Sequence, residues 1–438
     1  MSTASTSPQT PRRWAPRFFT IWGGQAFSLL GSQLVSFALI WWLTKSTGSA
    51  TVLATASLVG LVPQVILGPL AGALVDRWNR RVVMIVADSL VALFTLVLAA
   101  LFAFGIAEIW HVYLMLFLRS VAGGFHWPAM TASTTLMVPK EQLARIQGLN
   151  QMLQGGMSIA SAPLGALLLE WLPMQGILAI DVATMLVAVL PLFFFSIPQP
   201  ERNDLPQEAN GKSSVWQDFQ AGLRYVASWP GLLIIAIMAT VINFLLTPAF
   251  SLLPILVTKH FNGQAIQLAT LESFSGVGFI VGGVILSAWG GFKRRIMTTL
   301  VGLVGMGIGC LVIGLLPGTA FTLAVATMFF LGVVNPVVNG PLMAAVQAAV
   351  APEMQGRVFS LIGSMSAAMS PLGLIIAGPV ADKLGVQSWF MIGGIVCGLM
   401  GIIALFIPAV MTFEDGRKQN QPVSPAEIAL AVRPAEGD

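Results

Sequence analysis

The stretch Gly72-Ala73-Leu74-Val75-Asp76-Arg77-Trp78-Asn79-Arg80-Arg81 lies between two long apolar runs, and its reading decides the fold. Five of its ten residues are Gly, Asn or basic, and Asp76 is the only carboxylate between Arg17 and Asp88. A polar, basic turn this short between two such runs reads as a loop joining membrane-spanning helices. Asn79 suits the left-handed conformation that often follows a helix end, which Gly and Asn enter most readily.

Composition supports that reading. The 438 residues are 56% hydrophobic and 9% charged, with a mean hydropathy of +0.83. Soluble domains carry roughly 25% charge, and a soluble core cannot hide this much apolar surface. The solvent must be lipid. Cys310 and Cys397 both lie inside apolar runs, so neither a disulfide framework nor a metal spacing is present. The first residues are rich in Ser, Thr and Pro, with Arg12 and Arg13 but no apolar core followed by a cleavage site. They read as a cytoplasmic tail.

Twelve apolar runs are long enough to span a bilayer, at about 18–44, 50–75, 82–106, 110–136, 147–169, 174–197, 231–257, 266–289, 296–316, 319–349, 358–380 and 387–411. An even number puts both termini on one side. With the N-terminus inside, eighteen of the 22 Lys and Arg fall in inner tails and loops. Only Lys45, Lys259 and Lys383 fall outside, and Arg119 lies within a span. The positive-inside rule therefore expects both termini in the cytoplasm.

The longest break divides the chain. Residues 198–230 begin with a Pro-rich polar linker and continue with Val215, Phe219, Leu223 and Val226 at helical spacing, an amphipathic helix expected to lie on the inner membrane face. The expected organisation is an N-terminal tail at 1–16, a six-helix bundle at 17–197, the linker, a second bundle at 231–411, and a disordered tail at 412–438. The halves repeat. Gly68 to Arg81 matches Gly282 to Arg295, Pro128 and Pro139 match Pro341 and Pro352, and Arg145 matches Arg357. Two parallel repeats of six spans suit a substrate path between the halves. Asp76 has no counterpart, because Gly290 stands in its place.

Polar residues within the spans are the candidates for chemistry. Gln25, Ser28, Ser32 and Ser36 form one stripe on the first helix, and Thr240, Asn243, Thr247 and Ser251 repeat it on the seventh. Asn335 and Asn339 share a face of the tenth. These faces read either as the lining of a central pathway or as helix packing through small polar groups. Four full charges lie within spans: Asp88, Arg119, Asp181 and Glu272. Each costs roughly 2.5–3.5 kcal/mol at the bilayer centre unless it is compensated.

Counting along the helices puts Arg119 about 13 Å and Asp181 about 10 Å below the outer surface. Similar depth makes them partners, either as a structural ion pair or as a proton-carrying carboxylate tuned by a cation. Asp88 reads as a charge near a helix N-terminus and close to Arg80 and Arg81. Glu272 lies in the outer first turns of its helix, with a role in proton uptake as its alternative reading.

Two motifs carry a family resemblance. The Gly72–Arg81 turn resembles the loop between the second and third helices of the major facilitator superfamily of membrane transporters, with Asn79 replacing a Gly. Gly155-Gly156-Met-Ser158-Ile-Ala-Ser161-Ala162-Pro163-Leu-Gly165 resembles the Gly-rich fifth-helix motif of the antiporter branch. Phrases such as Val138-Pro139-Lys-Glu-Gln-Leu-Ala-Arg145 and Ile180-Asp181-Val-Ala-Thr184 are similar to the branch of macrolide-efflux proteins and a siderophore exporter.

The resemblance implies an all-α polytopic fold of two six-helix bundles in a bacterial inner membrane. It implies cavity residues on the first, fourth, seventh and tenth helices, a gate at Gly72, Asp76, Arg77, Arg80 and Arg81, and close helix approach at Gly156, Pro163 and Gly165. It further implies a proton-coupled exporter of bulky, mostly apolar compounds. A metabolite transporter and a non-transporting scaffold or receptor are the alternatives. The chain has no phosphate-binding Gly-x-x-x-x-Gly-Lys-Ser/Thr loop and no His-Glu-x-x-His, so neither an ATPase nor an enzyme is expected. No cofactor is expected, and an ion gradient is the energy source. The expected partners are a small-molecule substrate, the lipid bilayer and protons, with no nucleic acid and no obligate protein partner.

Overall fold

The computed structural model describes residues 14–75, 78–197 and 215–415. Asp76 and Arg77 of the turn, the linker stretch 198–214, and residues 1–13 and 416–438 of the two tails lie outside the described residues. The tails are shorter than expected: Trp14 already opens the first helix, and Phe413–Asp415, expected in a disordered tail, form a short helix with Phe413 buried and Glu414 accepting the N–H of Ile296. Among the described residues there are twelve long helices and no strand. They are α1 (Trp14–Thr47), α2 (Ala50–Val75), α3 (Arg80–Ala103), α4 (Ile109–Met137), α5 (Leu143–Trp171) and α6 (Met174–Phe194), then α7 (Pro230–Ser251), α8 (Ala265–Trp289), α9 (Arg295–Leu315), α10 (Phe321–Ala349), α11 (Pro352–Leu384) and α12 (Val386–Leu405). Eleven of the twelve are long and apolar enough to cross a membrane. The other, α4, is 29 residues long and carries Arg119, His126 and four hydroxyl residues near its end.

In lipid a helix satisfies its own backbone, which is why every long apolar run folds this way. The end of the molecule bearing the α2–α3 turn is called the inner end below, and the opposite end the outer.

The two halves share one packing scheme. In the first, α1 lies against α5 and α6, α3 against α4 and α6, and α2 against α4. In the second, α7 lies against α11 and α12, α9 against α10 and α12, and α8 against α10. The bundles meet through α2 with α11 and α5 with α8. Glycine permits close backbone contact in the second bundle. A Cβ on Gly278 or Gly282 of α8 would strike the backbone carbonyl of Phe329 or Val333 on α10. Small residues let backbones approach closely where the hydrophobic effect offers no driving force.

The apolar cores differ. One continuous core fills the second bundle and takes in Phe37, Trp41, Ala50, Leu53 and Ala54 from the outer end of the first. The first bundle has two separate cores, an inner one around Phe18, Val83, Met84 and Ile146 and an outer one around Leu39, Leu98, Val112 and Ile177. The polar residues taken up below occupy the gap.

The α2–α3 turn departs from expectation at Asn79. Its φ of −70° and ψ of 109° are extended, and it serves as the N-cap of α3, its side chain accepting the N–H groups of Arg81 and Val82. The residue caps the next helix instead of ending the previous one. In the matching turn of the second half Gly290 and Gly291 do adopt positive φ, 76° and 80°. The basic pairs bind neighbouring helix ends. Arg80 donates to the Ala132 carbonyl and Arg81 to those of Leu192 and Phe193. In the second half Arg294 donates to Met411 and Arg295 to Ala344. The carbonyls of Leu192, Phe193 and Met411 are ones that a helix end leaves without backbone partners, while those of Ala132 and Ala344 lie in the turn before the end of their helices.

The linker helix spans Val215–Ala227 and packs on α11. A Cβ at its Gly222 would come within 3.2 Å of the Arg357 carbonyl oxygen. Of the apolar stripe expected there, Val226 is buried and Leu223 is 43% exposed. The side chains of Val215 and Phe219 lie outside the description.

Candidate functional site

The middle of the first bundle holds two polar layers. The outer layer joins α1, α3, α4 and α6. Arg119 Nη1 lies 2.5 Å from Asp181 Oδ2 and donates to Thr95 Oγ1 at 3.3 Å. Arg119 Nη2 donates to the Ser32 carbonyl at 3.4 Å, and Ser32 Oγ donates to Asp181 Oδ1 at 3.3 Å. Asp181 is fully buried. A carboxylate so placed needs this many donors, because an uncompensated charge at that depth is costly. Gly31 makes the site possible. A Cβ there would collide with Thr184 Oγ1 and come within 3.1 Å of Asp181 Oδ1. Without a side chain at position 31, α1 closes on α6 and delivers Ser32 to the carboxylate.

The inner layer joins α1, α3 and α4. Gln25 Nε2 donates to Asp88 Oδ2 at 3.1 Å, and His126 Nε2 stands 3.3 Å from Asp88 Oδ1. All three residues are buried. Asp88 therefore faces Gln25 and His126, while the guanidiniums of Arg80 and Arg81 reach carbonyls of α4 and α6.

The remaining candidates are dispersed. Ser28 is buried on α1 between the layers. On α7, Asn243 donates to the Ala239 carbonyl, and Thr247 accepts from Ser370 of α11 at 3.2 Å. Asn335 and Asn339 bond each other at 3.2 Å, and Asn339 is exposed. Glu272 of α8 has no hydrogen bond or ion pair among the described residues, while its neighbour Ser273 donates to Ile159 of α5 at 2.9 Å. On α5, a Cβ at Gly165 would press on the Phe37 ring of α1, whereas one at Gly156 would meet nothing within 4 Å. Pro163 lies inside an unbroken α5, and Gly72 lies within α2.

The sequence places His126 on the fourth helix below Arg119 without giving it a partner, and it leaves Thr95 and Asp382 out. Spacing could have joined the first two to the site. Gln25 and Ser32, Asp88 and Thr95, and Arg119 and His126 are each seven residues apart on three neighbouring helices. Asp382 offers no such signal. It lies near the end of α11 and binds the start of α2, a contact across the halves.

Two pseudo-symmetric six-helix bundles with buried charges in one of them define a multi-pass membrane transporter. Residues 21–374 match the model of the Major Facilitator Superfamily, and the chain belongs to that family. It is 35% identical to "Macrolide efflux protein A" of Streptococcus pyogenes over 399 residues, 91% of this chain and 96% of that protein. It is 25% identical to "Multidrug efflux pump Tap" of Mycolicibacterium fortuitum, over 89% of this chain and 95% of that one. Among solved structures, a POT family transporter in complex with 5-aminolevulinic acid superposes with a TM-score of 0.68 at 12% identity, covering 88% of this chain and 95% of that one. That likeness concerns the fold alone.

Proposed function

We propose that this transporter exports lipophilic drugs, macrolides among them, in exchange for protons by alternating access. It would sit in a bacterial inner membrane with both termini in the cytoplasm, driven by the proton gradient and needing no cofactor. The observation that carries the reading is the Arg119–Asp181 pair at mid-depth in the first bundle, 2.5 Å apart with Asp181 fully buried. The 35% identity to a macrolide efflux protein supports the substrate class.

The electrostatics follow from the pair. Arg119 is always charged. With Asp181 ionised the layer is neutral, and with Asp181 protonated it carries one net positive charge. A cationic drug near the layer and a proton on Asp181 then oppose each other, because the drug is held best when the layer is neutral. Mutual exclusion of proton and substrate is what antiport requires. The cross-half contacts of Asp382, at the outer end, fit a state closed on that side.

Proteoliposomes with an imposed pH gradient and a radiolabelled macrolide test the reading. Wild type should concentrate the macrolide against its gradient, and Asp181→Asn should abolish that while still binding the drug. Pumping by Asp181→Asn at the wild-type rate would overturn the role of the pair.

A further inference from the structure

We propose that His126 and Asp88 form a second protonation site, the inner station of a two-step proton path whose outer station is Asp181. This rests on the proton-coupled reading above and extends it.

Geometry is the first support. On α1, α3 and α4 the inner-layer residue is seven residues from the outer-layer one, and the helix directions agree: Gln25 precedes Ser32 and Asp88 precedes Thr95, while His126 follows Arg119 on the antiparallel α4. Seven residues are two turns, about 10 Å along the axis. The two layers therefore stack on the same helix faces. The gap is too long for one hop, but it is not sealed. Gly123 lies on α4 between Arg119 and His126, is exposed, and a Cβ there would meet no atom within 4 Å. Ser28 lies on α1 between Gln25 and Ser32 and forms no hydrogen bond among the described residues. Water reaching the open space at Gly123 can link the two layers.

Unmet polar capacity is the second support. Gln25 is 1% exposed, and its Oε1 has no donor among the described residues. His126 Nε2 is also buried and, although 3.3 Å from Asp88, lacks a well-directed hydrogen bond. Gln25 must present Nε2 to an ionised Asp88, which leaves Oε1 facing away. A buried acceptor left in this way calls for a donor that comes and goes, such as water or a hydronium ion.

Charge balance is the third. The groups around the inner layer are few. Asp88 comes from α3, Gln25 is the uncharged contribution of α1, and the described part of α2 carries no titratable residue. Arg80 lies further toward the inner end, on the Ala132 carbonyl, and Arg119 and Asp181 lie one layer outward. With His126 neutral, the inner layer carries one negative charge. With Asp181 protonated, the outer layer carries one positive charge. Breaking the Asp181 O–H bond and forming the His126 Nε2–H bond, through water, leaves both layers neutral. The imidazolium then gives its proton to water at the inner end, and the next proton reaches Asp181 from the outer side. Both charged layers are unfavourable in the low-dielectric interior, so the middle step runs inward.

The test uses full-length protein in lipid nanodiscs with 15N-labelled histidine, which gives three residues to resolve, and His126→Gln assigns the signal. The inference expects the His126 imidazole nitrogens to change protonation state within the pH range over which transport runs. It also expects the midpoint to move in both Asp88→Asn and Asp181→Asn. In proteoliposomes, His126→Gln should lower pH-driven macrolide transport about tenfold or more while sparing macrolide exchange at equal pH on both sides. A His126 signal fixed in one protonation state, or one that titrates without responding to Asp181→Asn, would overturn the second station. The same holds for His126→Gln that pumps like wild type while Asp181→Asn does not, a result that leaves the proposed function standing. Absence of proton-driven flux in wild type would count against the proposed function, and the nanodisc titration would still judge the site. If His126→Gln does not fold, His126→Asn gives the assignment, and the titration itself is read in wild type.

Discussion

Asp382 accepts the backbone N–H of Ala50 at 2.7 Å, so a carboxylate of the second bundle caps the first turn of a helix in the first. The same carboxylate accepts from Thr51 N at 3.0 Å and Ser49 Oγ at 2.9 Å. A negative charge on the N–H groups that open a helix is favoured by both hydrogen bonding and the helix dipole. Nearby, Gly378 of α11 approaches Thr51 closely enough that a Cβ would sit 2.9 Å from its Cα. Together they make a latch across the outer end.

Opening the outer side must break this cap. Asp382→Ala should therefore favour the outward-open form by about 1–2 kcal/mol, roughly a 5- to 30-fold change in population. Spin labels at Ile106 and Leu384, both exposed, report the outer separation by double electron–electron resonance. A longer mean distance in Asp382→Ala is the expected result, and an unchanged distribution would show that the latch carries no weight.

Gly31 is where a single methyl group should do most damage. In Gly31→Ala the new Cβ meets Thr184 Oγ1 and crowds Asp181. Overpacking of this kind costs about 1–3 kcal/mol, so the unfolding temperature in detergent should fall. Thr184→Ala removes the obstructing hydroxyl, and the double variant should recover part of the loss. A double variant no better than Gly31→Ala would refute the steric account.

Asn79 acts as a cap, so its replacement should follow capping rules. Asn79→Ala should cost about 1 kcal/mol, Asn79→Asp close to nothing, and Asn79→Gly a few tenths. A thermal-shift series ranks the three. If Gly proved better than Asn, the family's usual residue would be preferred for its left-handed backbone after all.

Glu272 separates a charge that the fold uses from one it merely tolerates. It has no hydrogen bond or ion pair among the described residues. Glu272→Gln should leave thermal stability unchanged or raise it, because the amide removes a desolvated charge without stranding a partner. A loss of stability comparable to that of Asp181→Asn would mean that the carboxylate has a partner after all.

Much of this was legible in the sequence because lipid imposes simple rules. A run of about 20 apolar residues must be a helix, so the length and order of the helices follow from hydropathy. Depth counting brought Arg119 and Asp181 together correctly, since rise per residue is fixed along a helix. The polar stripe of α1 shows where such reasoning stops. Periodicity defines a face but not the neighbour it meets, and both a water-filled path and a bundle interior are away from lipid. Gln25 and Ser28 turn into the bundle, while Phe27 and Gln33 are on the exposed side. Asp88 was read against its own helix end, and its partners come from α1 and α4, which only tertiary packing supplies. The Asp382 cap is hidden for the same reason, joining positions more than three hundred residues apart.

The interrupted core of the first bundle sets it apart from its twin. Its apolar contacts stop at mid-depth and resume beyond, while those of the second bundle run through without a break. Two copies of one ancestral design have thus acquired different mechanical characters. Packed without a break, the second is suited to act as a stator against which motion can be referenced. The first is jointed at its waist, so a change in charge there can bend it without tearing apolar packing. Any rocking of the pair should be asymmetric, with the flexure on one side and the anvil on the other.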